Sequence, residues 1–120
     1  MDKIRMGFIG CGGNASGHIG RVLEMPETEV VALCDVSEAS LERVKERHAA
    51  VEGLPFFQDC EEMLEKVDMD AVEISTPHTL HFEQIMASLE KGLHVLTEKP
   101  MVCTVGHARQ VIARAEDSGK

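Results

Sequence analysis

The chain predicts an α/β fold: a doubly wound parallel sheet with helices on both faces and strand order 3-2-1-4-5. Three observations predict it. Apolar runs of strand length alternate with segments of helical periodicity along all 120 residues, the pattern of a parallel sheet covered on both sides. The first apolar run, Ile4 to Ile9, leads into the glycine-rich Gly10-Cys11-Gly12-Gly13-Asn14-Ala15 and then into a helical pattern. Parallel connections are right-handed, which splits the helices between the faces; the first strand is expected inside the sheet, not at its edge.

Each element has its own signal. Strands are expected at residues 3–9, 29–35, 55–57, 71–75 and 94–97, where apolar and β-branched residues cluster. A first helix over 14–25 carries Ala15, Ile19, Val22 and Leu23 on one face, and Pro26 ends it. A second over 38–50 shows Leu41, Val44 and His48 at helical spacing, with Ser37 as its N-cap. Asp59 and Glu62 form a capping pair for a short helix carrying Met63 and Leu64. Phe82, Ile85, Met86 and Leu89 stripe a fourth helix, which Gly92 closes. Thr104 caps a last helix with Val105, Ala108, Ile112 and Ala115 on its buried side. No repeat, linker or low-complexity stretch interrupts these elements, so residues 1–120 read as one domain. The close at Ser118-Gly119-Lys120 falls where such sheets usually add a sixth strand. The domain is therefore expected to be part of a longer architecture or a natural minimal version of it.

Bulk properties narrow the function classes. Hydrophobic content of 43% and charged content of 28% fit an ordinary soluble domain. The net charge of −9, with no basic run, argues against nucleic acid and anionic membrane surfaces as partners. Met1-Asp2-Lys3-Ile4-Arg5 runs straight into a strand, so no signal peptide is read, and no apolar run approaches a membrane span. A cytoplasmic protein is expected. Cys11, Cys34, Cys60 and Cys103 lie far apart with no CxxC pair, which favours reduced thiols over disulfides or a zinc knuckle. Cys11 reads as a small residue filling a tight loop.

The order strand, glycine turn, helix, strand, acid is the order that dinucleotide binding needs. Gly10 permits the tight turn, Gly12 clears the approach of the backbone to a pyrophosphate, and Ala15 lets helix and strand pack closely. The helix N-terminus, with Gly13 and Asn14, offers unpaired N–H groups and partial positive charge to phosphates. Asp35 ends the second strand, about 25 residues after Gly10 and close to the usual spacing for the acid that binds the adenosine ribose; Val36 follows it in the same loop. The competing reading is a doubly wound domain whose glycines serve packing alone.

Two further segments follow the fourth and fifth strands: Ser75-Thr76-Pro77-His78-Thr79-Leu80-His81 and Glu98-Lys99-Pro100-Met101. With the glycine turn and Asp35, they make the whole chain resemble the N-terminal dinucleotide-binding Rossmann domain of the Gfo/Idh/MocA oxidoreductases. The resemblance implies a pyridine-nucleotide enzyme acting on sugars, polyols or related alcohols and carbonyls. It implies that Lys99 orients the substrate oxygen beside the nicotinamide and helps its proton leave. Glu98 would support the nicotinamide ribose region, and Pro100 matches a proline that is usually cis. Ser75, Thr76, Pro77, His78 and His81 match the loop beneath the cofactor, with His78 standing where asparagine is commoner. Lysine suits proton transfer because burial or nearby positive charge makes an ammonium easier to deprotonate. The family's substrate pocket comes from a second, mostly β domain, no part of which is in these 120 residues.

NAD is expected over NADP. A 2′-phosphate would meet the Asp35 carboxylate, and Val36-Ser37-Glu38 supplies no arginine to offset it; the penalty is about 2–4 kcal/mol. No metal site is expected, because His78 and His81 lack further ligands nearby. His18, His48, His94 and His107 read as helix-surface or strand-end residues. The reading is thus the cofactor half of an oxidoreductase, inactive alone, whose small-molecule sugar or polyol substrate binds only in the full-length protein. A homo-oligomer is expected, because apolar surface near the last helix and the cleft would otherwise be bare. The alternative is a non-catalytic nucleotide-sensing or assembly module, for which Lys99 would have no use.

Overall fold

The structure, a computed structural model, describes residues 2–120. Five parallel strands form one sheet in the order β3-β2-β1-β4-β5: β1 Ile4–Ile9, β2 Thr28–Cys34, β3 Phe56–Phe57, β4 Ala71–Ile74 and β5 His94–Thr97. The helices are α1 Gly13–Glu24, α2 Glu38–Arg47, α3 Cys60–Lys66, α4 His81–Glu90 and α5 Val105–Ser118, with 3-10 turns at Ala49–Val51 and His78–Leu80. The predicted strand order is the observed one. Alternation along the strands feeds two cores. Phe8 and Leu33 pack with Ile19, Leu41, Val44 and Val51 on one face. Ile9, Cys34 and Ile74 pack with Met63, Ile85, Leu89 and Val111 on the other.

The register places the site. Ile9 pairs with both Cys34 and Ile74, Cys34 with Phe57, and Ile74 with Thr97. All five strands therefore end at one level. Past four of them the next residue continues the ladder by one bond: Gly10 N–H donates to Cys34 O at 2.8 Å, Asp35 N–H to Phe57 O at 3.0 Å, Ser75 N–H to Ile9 O at 2.8 Å and Glu98 N–H to Ile74 O at 3.0 Å. Gly10, Asp35, Ser75 and Glu98 thus leave the sheet side by side at its carboxyl edge, where open α/β sheets bind ligands.

Local signals behave as expected at most helix ends. The Ser37 and Thr104 hydroxyls accept from the Ser40 and His107 N–H groups. Asp59 caps α3 through Glu61 N–H, but Glu62, its expected capping partner, pairs with Lys66 one turn on instead. At the end of α4, Gly92 takes φ 77°, and Gly92 N–H and Leu93 N–H donate back to Leu89 O and Ser88 O; this double bond is the Schellman closure.

Two expectations are corrected. The second helix stops at Arg47 rather than reaching residue 50, and His48 is extended. The cause is tertiary: the His48 ring leaves the helical stripe to hydrogen-bond Ser16 O on α1 at 2.8 Å, and Gly20 leaves room for it, since a Cβ there would lie 2.9 Å from the ring. The last helix buries only part of the expected stripe: Ala115 packs on the core and Ala108 is half-buried. Val111 is its buried residue, whereas Val105 and Ile112 are 69% and 53% exposed. The reason is the narrow contact with α4, set by Phe82 stacking on His107 with ring centroids 3.8 Å apart. His107, Val111 and Ala115 are spaced four residues apart and share that face; Val105 and Ile112 do not. Among the described residues, no helix is long and apolar enough to cross a membrane.

Candidate functional site

The turn after β1 is shaped by one glycine. Gly10 takes φ 95°, and a Cβ there would lie 2.7 Å from the Ser75 carbonyl carbon. No other residue fits that approach of β1's exit to β4's exit. Gly12 differs: a Cβ there would meet nothing within 4 Å, so its missing side chain leaves open space in front of α1. No side chain caps α1, and its first turn holds no acidic residue. Its leading N–H groups are therefore available to an anion.

Asp35 does more than the sequence reading assigned to it. Its Oδ2 accepts from Cys11 N–H at 2.8 Å and its Oδ1 accepts from Ser37 N–H at 2.8 Å. The carboxylate ties the glycine turn to the exit of β2 and retains lone pairs for a ligand. Cys11 is buried, and burial pushes its thiol up to about 12, with Asp35 adding to the shift. The thiol keeps its proton and donates to Cys34 O at 3.5 Å, as a loop-filling residue does. The four cysteines are free.

Two adjoining cavities run along the carboxyl edge. One, of about 350 Å³, is lined by Gly12, Gly13, Asn14, Ala15, Ser75, Thr76, Pro77, His78, His81, Glu98 and Lys99. The other, of about 250 Å³, is lined by Gly10, Asp35 and Val36, and again by Gly12, Ser75, Thr76 and Pro77. The shared residues join them into one trough. Every candidate residue from the sequence lines one or both except Pro100. Pro100 follows a cis peptide bond, and its carbonyl accepts from His81 Nδ1 at 2.8 Å.

His81 is a brace within the wall. It is 1% exposed, and its Nε2 lies 2.9 Å from Thr76 O. Its two nitrogens hold the loop after β4 to the loop after β5, and neither is left for a metal. His78 is exposed at the cleft mouth. Lys99 is exposed and makes no ion pair among the described residues.

Sequence reasoning missed Gln58, Leu80 and Gln84, which line the Asp35 cavity. Gln58 had a signal: it stands one residue past the third strand, in the row of Gly10, Asp35, Ser75 and Glu98. Gln84 had none, because its place depends on a bond from the Thr76 hydroxyl to its side-chain oxygen. His18 was also missed. It does not lie free on the helix surface: its Nδ1 is 3.0 Å from the buried carboxylate of Glu73.

The residues fit a nicotinamide dinucleotide, with an anion-accepting helix end, open space at Gly12 and an acid at the exit of β2. Comparison with known proteins agrees. The family described as "Oxidoreductase family, NAD-binding Rossmann fold" matches residues 4–120; the chain belongs to this Gfo/Idh/MocA family. A WlbA dehydrogenase from Chromobacterium violaceum, solved in complex with NADH and UDP-GlcNAcA, is 31% identical with a TM-score of 0.89, covering 100% of this chain and 34% of that one. A scyllo-inositol dehydrogenase from Lactobacillus casei is 25% identical with a TM-score of 0.87, covering 98% of this chain and 34% of that one. A glycosyl hydrolase family 109 protein from Shewanella pealeana is 32% identical over 127 residues, which is 100% of this chain and 28% of that protein. The chain thus spans about a third or less of the relatives it matches.

Proposed function

We propose that this family member is the cofactor-binding half of an oxidoreductase that moves hydride between NAD and a sugar, polyol or related alcohol or carbonyl. The observation that carries this reading is the row of strand exits, which joins the glycine turn, Asp35, the Thr76–His78 loop and Glu98–Lys99 in one trough. In this reading the α1 N–H groups bind the pyrophosphate, and the space at Gly12 admits it. Asp35 accepts hydrogen bonds from the adenosine ribose and disfavours a 2′-phosphate. The bound nicotinamide supplies the hydride acceptor or donor. Lys99 Nζ holds the substrate hydroxyl and takes or returns its proton, while Glu98 lies beside it. Lys99 is open to water in this chain, so turnover needs a covering segment that holds the substrate in attack geometry. The chain alone is expected to bind NADH and to turn over nothing, and its exposed Val36, Leu80, Val105 and Ile112 favour self-association, which light scattering measures.

Calorimetry with NADH and NADPH tests the cofactor; equal affinities count against the role of Asp35. In a longer protein that includes this chain and its substrate segment, Lys99→Ala should lower turnover by about 10²–10⁴-fold and change NADH affinity far less. An unchanged rate removes Lys99 from the chemistry. Cofactor binding without turnover in the longer protein favours the sensing reading.

The relatives named as glycosyl hydrolases, one an alpha-N-acetylgalactosaminidase from Shewanella oneidensis at 31% identity, favour a second reading. Nicotinamide-dependent glycosidases exist, and in them hydride leaves and returns with no net oxidation. Product analysis separates the two: net NADH accumulation marks a dehydrogenase, and sugar release without it marks a glycosidase.

A further inference from the structure

Glu98 has a neighbour that the cofactor reading does not use. His18, on α1, places Nδ1 3.0 Å from Glu73 Oε1 and Nε2 3.7 Å from Glu98 Oε1. The ring therefore stands between two carboxylates from different strands: Glu73 within β4, and Glu98 one residue past β5. Glu73 is unusual for its place. Its side chain is 5% exposed, and its Oε2 is buried with no partner among the described residues. A carboxylate kept in such a position weakens the fold unless it is paired. Burial pushes the Glu73 carboxyl up, His18 and Arg21 pull it back, and Glu98 raises it further. Those are the charged groups facing the cluster from α1, β4 and the segment after β5.

We propose that His18 is a positioning residue that bridges the buried Glu73 to Glu98 and so holds the Glu98–Lys99 segment at the cleft wall. A charged imidazole attracts both carboxylates, one from each ring edge. A neutral ring has a single N–H to give, and Glu73 is the nearer partner. The tie to Glu98 therefore depends on the ring's proton. The tether itself stands on the geometry above; its effect on cofactor binding rests on the reading that this end of the trough receives the nicotinamide half.

NMR of the labelled 120-residue chain, titrated between about pH 5 and 8, tests the tether without any cofactor. The His18 ring nitrogens and the Glu98 and Lys99 amides should shift in one shared transition. His18→Asn retains a donor toward Glu73 but is too short to reach Glu98. It should keep the fold and abolish the transition at the Glu98 and Lys99 amides. NADH affinity, measured in parallel, should fall by about two- to fivefold in this variant, the range for a partly exposed ion pair. His18→Gln, whose amide reaches farther, should recover part of that affinity but no titration. The proposal is overturned if the Glu98 and Lys99 amides ignore the His18 transition in the unmodified chain, or titrate unchanged in His18→Asn. Should the unmodified chain bind no NADH, the cofactor reading fails while the amide titration still decides the tether.

Discussion

The two ends of the trough are built on different principles. At the glycine-turn end, Asp35 accepts from two backbone N–H groups, Gly10 fits against Ser75, and Cys11 is buried behind them. Contacts between strand exits of this chain complete that end. At the other end Lys99 is exposed, and its neighbour Glu98 is one-third exposed, with His18 across an ion-pair gap. Under the proposed function, that end is a platform whose dielectric and ligand geometry a covering segment would supply: recognition of a constant cofactor would be built into one domain and chemistry on a variable substrate finished outside it.

The sharpest way to break this comparison is at the glycine turn, where two glycines have opposite duties. Gly10→Ala forces a side chain into a positive φ and against the β4 backbone, so the chain should lose about 3 kcal/mol of stability, measurable by urea unfolding. Asp35→Ala should cost about 2 kcal/mol by stranding the Cys11 and Ser37 N–H groups, and should also narrow any NADH-over-NADPH preference. If Asp35 serves only the ligand, stability will not move. Gly12→Ala meets open space, so stability should stay within about 0.5 kcal/mol while NADH affinity drops about tenfold or more through blocked approach to the helix end. Reduced stability with unchanged affinity in Gly12→Ala would reverse the division of labour.

Smaller effects test charge placement. The folded Glu73 carboxyl is raised, so its contribution is fully present below the unfolded carboxyl value, about 4.3, and is lost as pH rises through the folded value. The fold therefore loses stability as pH rises through that value, and Glu73→Gln should flatten this dependence, read by urea unfolding at several pH values. Asp70 shows the opposite sign. Hydrogen bonds from Arg5 hold its carboxyl down at about 2, so its contribution is present above the unfolded value and lost as pH falls toward 2. Both side chains are partly exposed, at 43% and 41%, so Asp70→Asn should lower the melting temperature by only about 1–3 °C at pH 7, with the difference mostly gone near pH 2.

Legibility in the sequence followed the range of the interaction. The Thr104 cap, the Gly92 closure and the strand positions were readable because each depends on residues within a few places along the chain. Val105 and Ile112 of the α5 stripe were misread because apolarity marks residues that can be buried, while Phe82 and His107 from two helices decide which ones are. His48 was misread because its partner is Ser16, a whole strand and helix away.

By itself, the sequence determined the parallel sheet, its strand order, the glycine turn and most of the residues that gather at the carboxyl edge. Periodicity and the right-handed crossover are properties of the local chain and give a doubly wound sheet; the glycine turn with its trailing acid selects the 3-2-1-4-5 order among such sheets. Tertiary structure alone decided that Asp35 braces the turn, that His81 pins two loops, that Gln58 and Gln84 enter the wall and that His18 stands between Glu73 and Glu98. Each of these depends on the register that ends five strands at one level. Register comes from packing both sheet faces at once, and no single segment carries it.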